Sequence, residues 1–174
     1  VLDRAVDEAR KVIVEKNPEL PGLDRVAEQV GIGALIFNDM KRERVKDVQF
    51  TWDEVLSFEG ETGPYVQYTH ARLASIARKA ADRGEGGAEP DWSLLEDASH
   101  ILVALGRYGD ALRNAARRAE PSAIASYLLS LCRDVNSWSA EHRVLGEAPE
   151  LTSARLRLVA GVRSVVGNGL GILG

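Results

Sequence analysis

Two phenols and a guanidinium share one helical spacing in this sequence. Tyr65, Tyr68 and Arg72 fall at i, i+3 and i+7, which places them on one face of an α-helix. Aromatic rings and arginine planes stack on unpaired nucleobases, and arginine also meets phosphate, so such a face would serve single-stranded RNA. The face is rotated away from the apolar stripe of Val66, Leu73 and Ile76, and Ser75 and Lys79 continue it. Spacing alone favours a plainer arrangement, in which the tyrosines fill a groove between helices and the arginine caps an acid. Both arrangements remain open at the level of the residues.

Other chemistries find little support. His70, His100 and His142 share no metal-ligand spacing with one another or with Cys132, so no metal site is expected. There is no Gly-x-x-x-x-Gly-Lys phosphate loop, no Gly-x-Ser-x-Gly elbow and no dinucleotide fingerprint. Glu54, Glu59 and Glu61 cluster, but acids at a helix start ordinarily answer the helix dipole. No catalytic residue is assigned. Cys132, the single cysteine, sits among Leu128, Leu129 and Leu131 and reads as a buried small hydrophobe. One cysteine excludes an internal disulfide and fits a reducing, cytoplasmic setting.

The elements that would position these groups are helices. Residues 2–16 carry Leu2, Val6, Ala9 and Ile13 at helical spacing, and Asn17-Pro18 and Pro21-Gly22 break the chain. A second helix follows with Val26, Val30, Leu35, Ile36 and Met40; Gly31 and Gly33 inside it imply close packing or a break. It ends in the basic cluster Lys41, Arg42, Arg44 and Lys46. Residues 45–50 alternate weakly and suggest a short extended piece, and Thr51-x-x-Glu54 reads as a capping box ahead of Trp52, Val55, Leu56 and Phe58. The 60–64 turn marks a boundary, with Pro64 suited to a first helical position.

Residues 65–83 then form a helix with Val66, Leu73, Ile76, Ala77 and Ala80 inward, followed by the loop from Arg83 to Pro90. Ser93-x-x-Glu96 is a second capping box, opening a helix with Leu94, Leu95, Ala98, Ile101, Leu102 and Leu105 inward. After a bend at Gly106–Gly109, a small-residue face continues through Ala111, Leu112, Ala115 and Ala116. Pro121 starts a helix whose inner positions Ile124, Leu128, Leu131, Val135 and Trp138 step by 4, 3, 4 and 3. The last helix carries Leu151, Leu158, Val162, Val165, Val166 and Leu170, with Gly167, Gly169 and Gly171 fraying its end. The prediction is an all-α helical bundle over residues 61–174 with an N-terminal helical connector over 1–60.

Charge is divided. Residues 1–100 hold 13 Lys/Arg against 20 Asp/Glu, a balance of −7, while residues 101–174 hold 9 against 6, a balance of +3. An acidic total opposes indiscriminate nucleic-acid binding by bulk charge but leaves room for a local RNA site. No apolar run approaches the roughly 20 residues that span a bilayer. Val1-Leu2-Asp3-Arg4 has neither an initiator methionine nor a signal peptide, so the chain is expected to begin inside a longer protein.

The run Phe58-Glu-Gly-x-Thr-Gly-Pro-Tyr-x-Gln-Tyr-x-His-Ala-Arg72 closely resembles the signature opening the anticodon-binding domain of arginyl-tRNA synthetases. Upstream, Val30-Gly-Ile-Gly-Ala34, the stretch from Asp39 to Arg44, and Trp52-Asp53 resemble the segment joining the catalytic domain to that bundle. Downstream, Pro121 to Leu129, Asn136, Val144, Ala154-Arg155-Leu156 and Gly169 to Gly174 follow the rest of the family pattern. The resemblance implies a DALR-type domain of a class I enzyme that activates arginine with ATP and Mg and loads it on arginine tRNA. The ATP chemistry would lie outside this chain, which by itself would be inactive. It further implies a cytoplasmic monomer whose partner is tRNA rather than DNA or a membrane.

By the same resemblance, anticodon contacts fall on Tyr65, Gln67, Tyr68, Arg72, Asn136 and Trp138. The sequence departs from the family pattern around Asn136, where Val135, Trp138 and Ser139 replace the usual paired Phe and Tyr. Tyr108-Gly109 stands in place of a mid-domain Phe-Pro, and the family's closing Arg-Met is missing after Gly174. The competing reading is a helical protein-interaction module without RNA binding, using an apolar groove at the Trp138 end of the long helix.

Overall fold

In the computed structural model, residues 1–42 and 50–174 are described. The alternating segment expected over 45–50, and Arg44 and Lys46 of the basic cluster, lie largely or wholly outside the described residues. Eight α-helices and one 3₁₀ helix occur among those described, with no strand. They are α1 (Leu2–Lys16), α2 (Leu23–Met40), α3 (Trp52–Val55), α4 (Gly63–Arg83), the 3₁₀ helix Trp92–Ala98, α5 (Ser99–Gly106), α6 (Tyr108–Arg118), α7 (Ser122–Glu141) and α8 (Pro149–Leu173).

Two apolar clusters organise these helices. The smaller joins Ala9 and Ile13 of α1 to Ala27, Val30 and Ala34 of α2 and to Val55 and Leu56. Gly31 lets α1 and α2 meet backbone to backbone, since a Cβ there would stand 2.6 Å from the Ala5 carbonyl oxygen. The larger cluster gathers Val66 and Leu73 of α4, Ile101 of α5, Leu128, Leu131 and Val135 of α7, and Leu158, Val162 and Val166 of α8. Each buried side chain of this size contributes about 1.5–3 kcal/mol from water exclusion. Phe37 and Met40 of α2 also pack on this second cluster, so α2 touches both.

Several local expectations need correction. Thr51 does not cap α3 with its side chain; its hydroxyl faces the Glu54 carboxylate at 3.5 Å instead. Asp91, not Ser93, caps the following segment, accepting from the Ser93 N–H at 3.0 Å and hydroxyl at 2.7 Å. That segment is 3₁₀ rather than α, and the changed winding leaves Leu94 and Leu102 exposed rather than inward. Gly63 takes the first position of α4 and Pro64 the second.

The glycines of α8 do not fray it, because the helix runs to Leu173 and Gly169 packs on Leu128. This helix is also long and apolar enough, by length and composition alone, to cross a membrane. Isolated polar residues and glycines hide that property from a search for unbroken apolar runs. Its buried residues here, among them Arg155, Leu158, Val162 and Val166, face the other helices of the bundle.

Candidate nucleic-acid interface

The first turn of α4 fixes the residues of interest. The Thr62 hydroxyl accepts from the Tyr65 N–H at 3.1 Å and donates to the Ser57 carbonyl at 2.5 Å. One cap thus ties the preceding turn to the helix start. Lys41, the C-cap of α2, donates to the Glu61 carbonyl at 2.7 Å, and the Glu61 carboxylate pairs with Arg133 of α7 at 3.4 Å. Burial, then the neighbouring Arg42, hold the Lys41 ammonium below its ordinary pKa, against the opposing Glu54 and Glu61 carboxylates. The Arg133–Glu61 pair is exposed on both sides, where such contacts contribute at most about 1 kcal/mol.

Tyr65, Arg72 and Asn136 meet on the seam between α4 and α7. The Asn136 side-chain NH2 donates to the Tyr65 hydroxyl at 3.1 Å and to the Thr69 hydroxyl at 2.9 Å. Its carbonyl oxygen accepts from Arg72 Nη1 at 3.4 Å. Tyr65 is half-buried and packs on the main core. The plainer arrangement is therefore half realised: one tyrosine fills the inter-helix groove, but the arginine binds an amide rather than an acid.

Tyr68 points elsewhere. It is 57 % exposed and sets its ring edge-on to Phe58, with centroids 6.1 Å apart at 87°. It forms the lip of an open, mainly apolar groove of about 890 Å³ between α1–α2 and the α4 and α8 surfaces. Ile13, Leu20, Ile36, Phe58 and Leu170 contribute to its lining. Gln67 is committed to α2, donating to the Gln29 carbonyl at 3.2 Å, and its amide occupies the space that Gly33 leaves open.

Trp138 is interior, with 3 % of its surface exposed. His142 stacks on it at 5.7 Å and 15°, and the Arg155 guanidinium lies 5.7 Å from its ring centre. Arg155 is itself buried, donating to the Arg143 carbonyl at 2.5 Å and pairing with Asp97 at 3.1 Å. His142 reaches the same Asp97 carboxylate at 3.2 Å. These contacts lock the C-terminal half of α7, which carries Asn136, onto α8 and the 3₁₀ helix. Trp138 presents no face to a ligand in this arrangement.

Sequence reasoning missed Thr69. It lay inside the fifteen-residue run at one of its variable positions, one turn from Tyr65, and its only signal was a hydroxyl among apolar neighbours. Cys132, fully buried beside it, has its thiol pushed up to about 12 by burial, opposed by its hydrogen bond with Thr69. It is inert rather than nucleophilic. Among the described residues no group of three or more His, Cys, Asp and Glu is placed to hold a metal ion.

Comparison with known proteins gives this geometry a context. The DALR anticodon binding domain matches residues 66–174, and the catalytic domain of class I (R) tRNA synthetases matches residues 1–52. Arginine–tRNA ligase of Alkaliphilus metalliredigens is 38 % identical over 174 residues, covering 100 % of this chain and 31 % of the relative. That of Oenococcus oeni is 44 % identical, covering 100 % of this chain and 30 % of the relative. The chain thus spans about a third of the length of these curated relatives. The solved Thermus thermophilus arginyl-tRNA synthetase superposes with a TM-score of 0.92 at 37 % identity, over 99 % of this chain and 30 % of that one. The Plasmodium falciparum arginyl-tRNA synthetase, at 18 % identity and a TM-score of 0.82, shares the fold.

Proposed function

Because this chain belongs to the DALR anticodon-binding domain family, we propose that its α4–α7 seam reads the anticodon of an arginine tRNA, within an arginine–tRNA ligase. The single observation that carries the reading is the Tyr65–Asn136–Arg72 cluster, a phenol and a guanidinium held by one amide at the protein surface. Tyr68 adds an exposed ring for stacking on the adjoining side of α4, at the lip of the apolar groove. Gln67 supports the site by anchoring α4 to α2, and Trp138 supports it from beneath by packing. Residues 1–60 act as the connector and 61–174 as the tRNA-reading unit, in a cytoplasmic monomer.

The ligase reaction consumes ATP with Mg. No step of amino-acid activation is assigned to the residues of this chain. Their part is to bind and orient tRNA.

Titration of the chain with arginine tRNA and with a non-cognate tRNA tests this. Cognate tRNA binds more tightly, with an affinity that falls as salt rises because phosphate contacts release counterions. Tyr68→Ala weakens binding by about 1–3 kcal/mol through lost stacking. It leaves thermal stability nearly unchanged, since the ring is largely exposed. Equal affinity for the two tRNAs, or a Tyr68→Ala chain that melts early yet binds normally, refutes the proposal.

A further inference from the structure

Thr69 is fully buried, and its hydroxyl proton is already used. Oγ1 donates to the Tyr65 carbonyl at 2.9 Å, the i to i−4 bond that threonines make inside helices. The Cys132 thiol lies within hydrogen-bonding reach of the same hydroxyl, but sulfur is the weaker acceptor of the two. Toward Asn136, 2.9 Å away, the Thr69 oxygen therefore accepts. That requirement decides which end of the Asn136 amide faces inward, because only its NH2 donates. Arg72 imposes the same choice from the other side, since a guanidinium carries donors only and must meet the amide oxygen.

The orientation has a consequence at the surface. The Asn136 NH2 also donates to the Tyr65 hydroxyl oxygen at 3.1 Å. Having accepted there, the phenol turns its own O–H away from Asn136 and outward. Arg72 gives one N–H to Asn136, and its other N–H groups are not among the buried atoms that lack a partner. We propose that Thr69, acting through Asn136, polarises this seam so that Tyr65 and Arg72 present hydrogen-bond donors to RNA and select one of its acceptor oxygens. The inference rests on the RNA-binding reading above and adds Thr69 as a positioning residue. The acceptor is either a base carbonyl or a phosphate oxygen, which share this chemistry.

A mutant cycle on the whole chain, read by binding of an arginine-tRNA anticodon stem-loop, tests it. Tyr65→Phe removes the outward donor and weakens binding roughly tenfold, the worth of one net hydrogen bond. In an Asn136→Asp background the phenol donates inward to the carboxylate, so the same Tyr65→Phe change costs less than about twofold. Thr69→Val frees the amide and weakens binding, whereas Thr69→Ser, which keeps the hydroxyl, restores it. Stem-loops with neutral methylphosphonate linkages in the loop, compared with loops whose bases lack their carbonyl oxygen, show which acceptor is used. The probe missing the true acceptor no longer distinguishes Tyr65→Phe from the parent chain.

The free chain supplies a readout independent of RNA. The Asn136 side-chain NH2 protons exchange slowly by NMR, rapidly in Thr69→Val, and slowly again in Thr69→Ser. An unprotected Asn136 amide in the parent chain, or an equal cost of Tyr65→Phe in both backgrounds despite RNA binding, overturns the donor orientation of the seam alone. Failure of the parent chain to bind the stem-loop overturns the proposed function and, with it, the RNA ligand.

Discussion

Replacing each of two neighbouring glycines of α8 by alanine should have opposite effects, although the chemistry of the change is the same. A Cβ at Gly169 would stand 2.7 Å from Leu128 Cδ2, 2.9 Å from Cδ1 and 3.1 Å from Cγ. Leu128 is fully buried among the helices of the main core, so it has little room to yield. Overpacking of this kind costs about 1–3 kcal/mol, while exchanging glycine for alanine in a helix returns up to about 1 kcal/mol. Gly169→Ala is therefore destabilising by about 0–2 kcal/mol. A Cβ at Gly171 meets nothing within 4 Å, so Gly171→Ala keeps only the helical gain, about 0.5 kcal/mol so near the end of α8. The two variants should differ by about 1.5 kcal/mol, which for a chain of this size separates their melting temperatures by about 3–6 °C. Thermal unfolding followed by far-ultraviolet circular dichroism measures this directly. If Gly169→Ala melts at or above Gly171→Ala, close packing of α8 on α7 is not what requires the glycine.

Two further outcomes follow from local geometry. Ala119, the C-cap of α6, adopts φ 50° and ψ 42°, a left-handed conformation that strains a Cβ by about 1–2 kcal/mol. Ala119→Gly should raise stability by about 0.5–1 kcal/mol net of the added unfolded-state freedom, and an unchanged or lower melting temperature would contradict it. His70, facing α8 at Gly167, has its pKa lowered by burial first and by Arg163 second. The unfolded chain then binds more protons than the folded one. This contribution is fully present above about pH 6.5 and is lost as the pH falls below it. Melting temperatures measured between pH 7.5 and 5.5 should fall less steeply for His70→Gln than for the parent chain, and parallel curves would argue against it.

Helix positions were legible where periodicity and burial agree. In α7 the 4, 3, 4, 3 stepping picked out Ile124, Leu128, Leu131, Val135 and Trp138, and all five are buried. The break at Asn17-Pro18 also falls between helices, whereas the bend expected over Gly106–Gly109 narrows to Arg107, since Gly106 ends α5 and Gly109 lies within α6. Legibility failed where a motif has two physical outcomes. A Ser/Thr-x-x-Glu box specifies a cap only if its hydroxyl reaches the backbone, and at Ser93 the aspartate two residues earlier does so instead. Glycines near a helix end usually terminate it, but Gly169 allows close packing, and only the position of Leu128 reveals that. The inward assignment of Leu94 and Leu102 assumed 3.6 residues per turn through a stretch that winds as 3₁₀.

The candidate site shows the same division between what spacing fixes and what packing fixes. Spacing put Tyr65, Tyr68 and Arg72 on one side of α4, yet i+3 lies roughly 60° off the line of i on a helix of 100° per residue. With a second helix seated along that side, 60° is enough to send Tyr65 into the α4–α7 seam and Tyr68 outward against Phe58. For Trp138 two lines of sequence reasoning conflicted. Periodicity placed it among the inner positions of α7, whereas family resemblance placed it in the ligand site. Periodicity prevailed because burying a large aromatic ring removes far more apolar surface from water than one stacking contact recovers. The buried Arg155 is tolerable beside that ring because the Arg143 carbonyl accepts from its Nη1 and Asp97 pairs with its Nη2, although its buried Nε has no partner. The aromatic expected to touch RNA is instead packed inside, stacked on His142 and beside Arg155, one half-turn from Asn136 on α7.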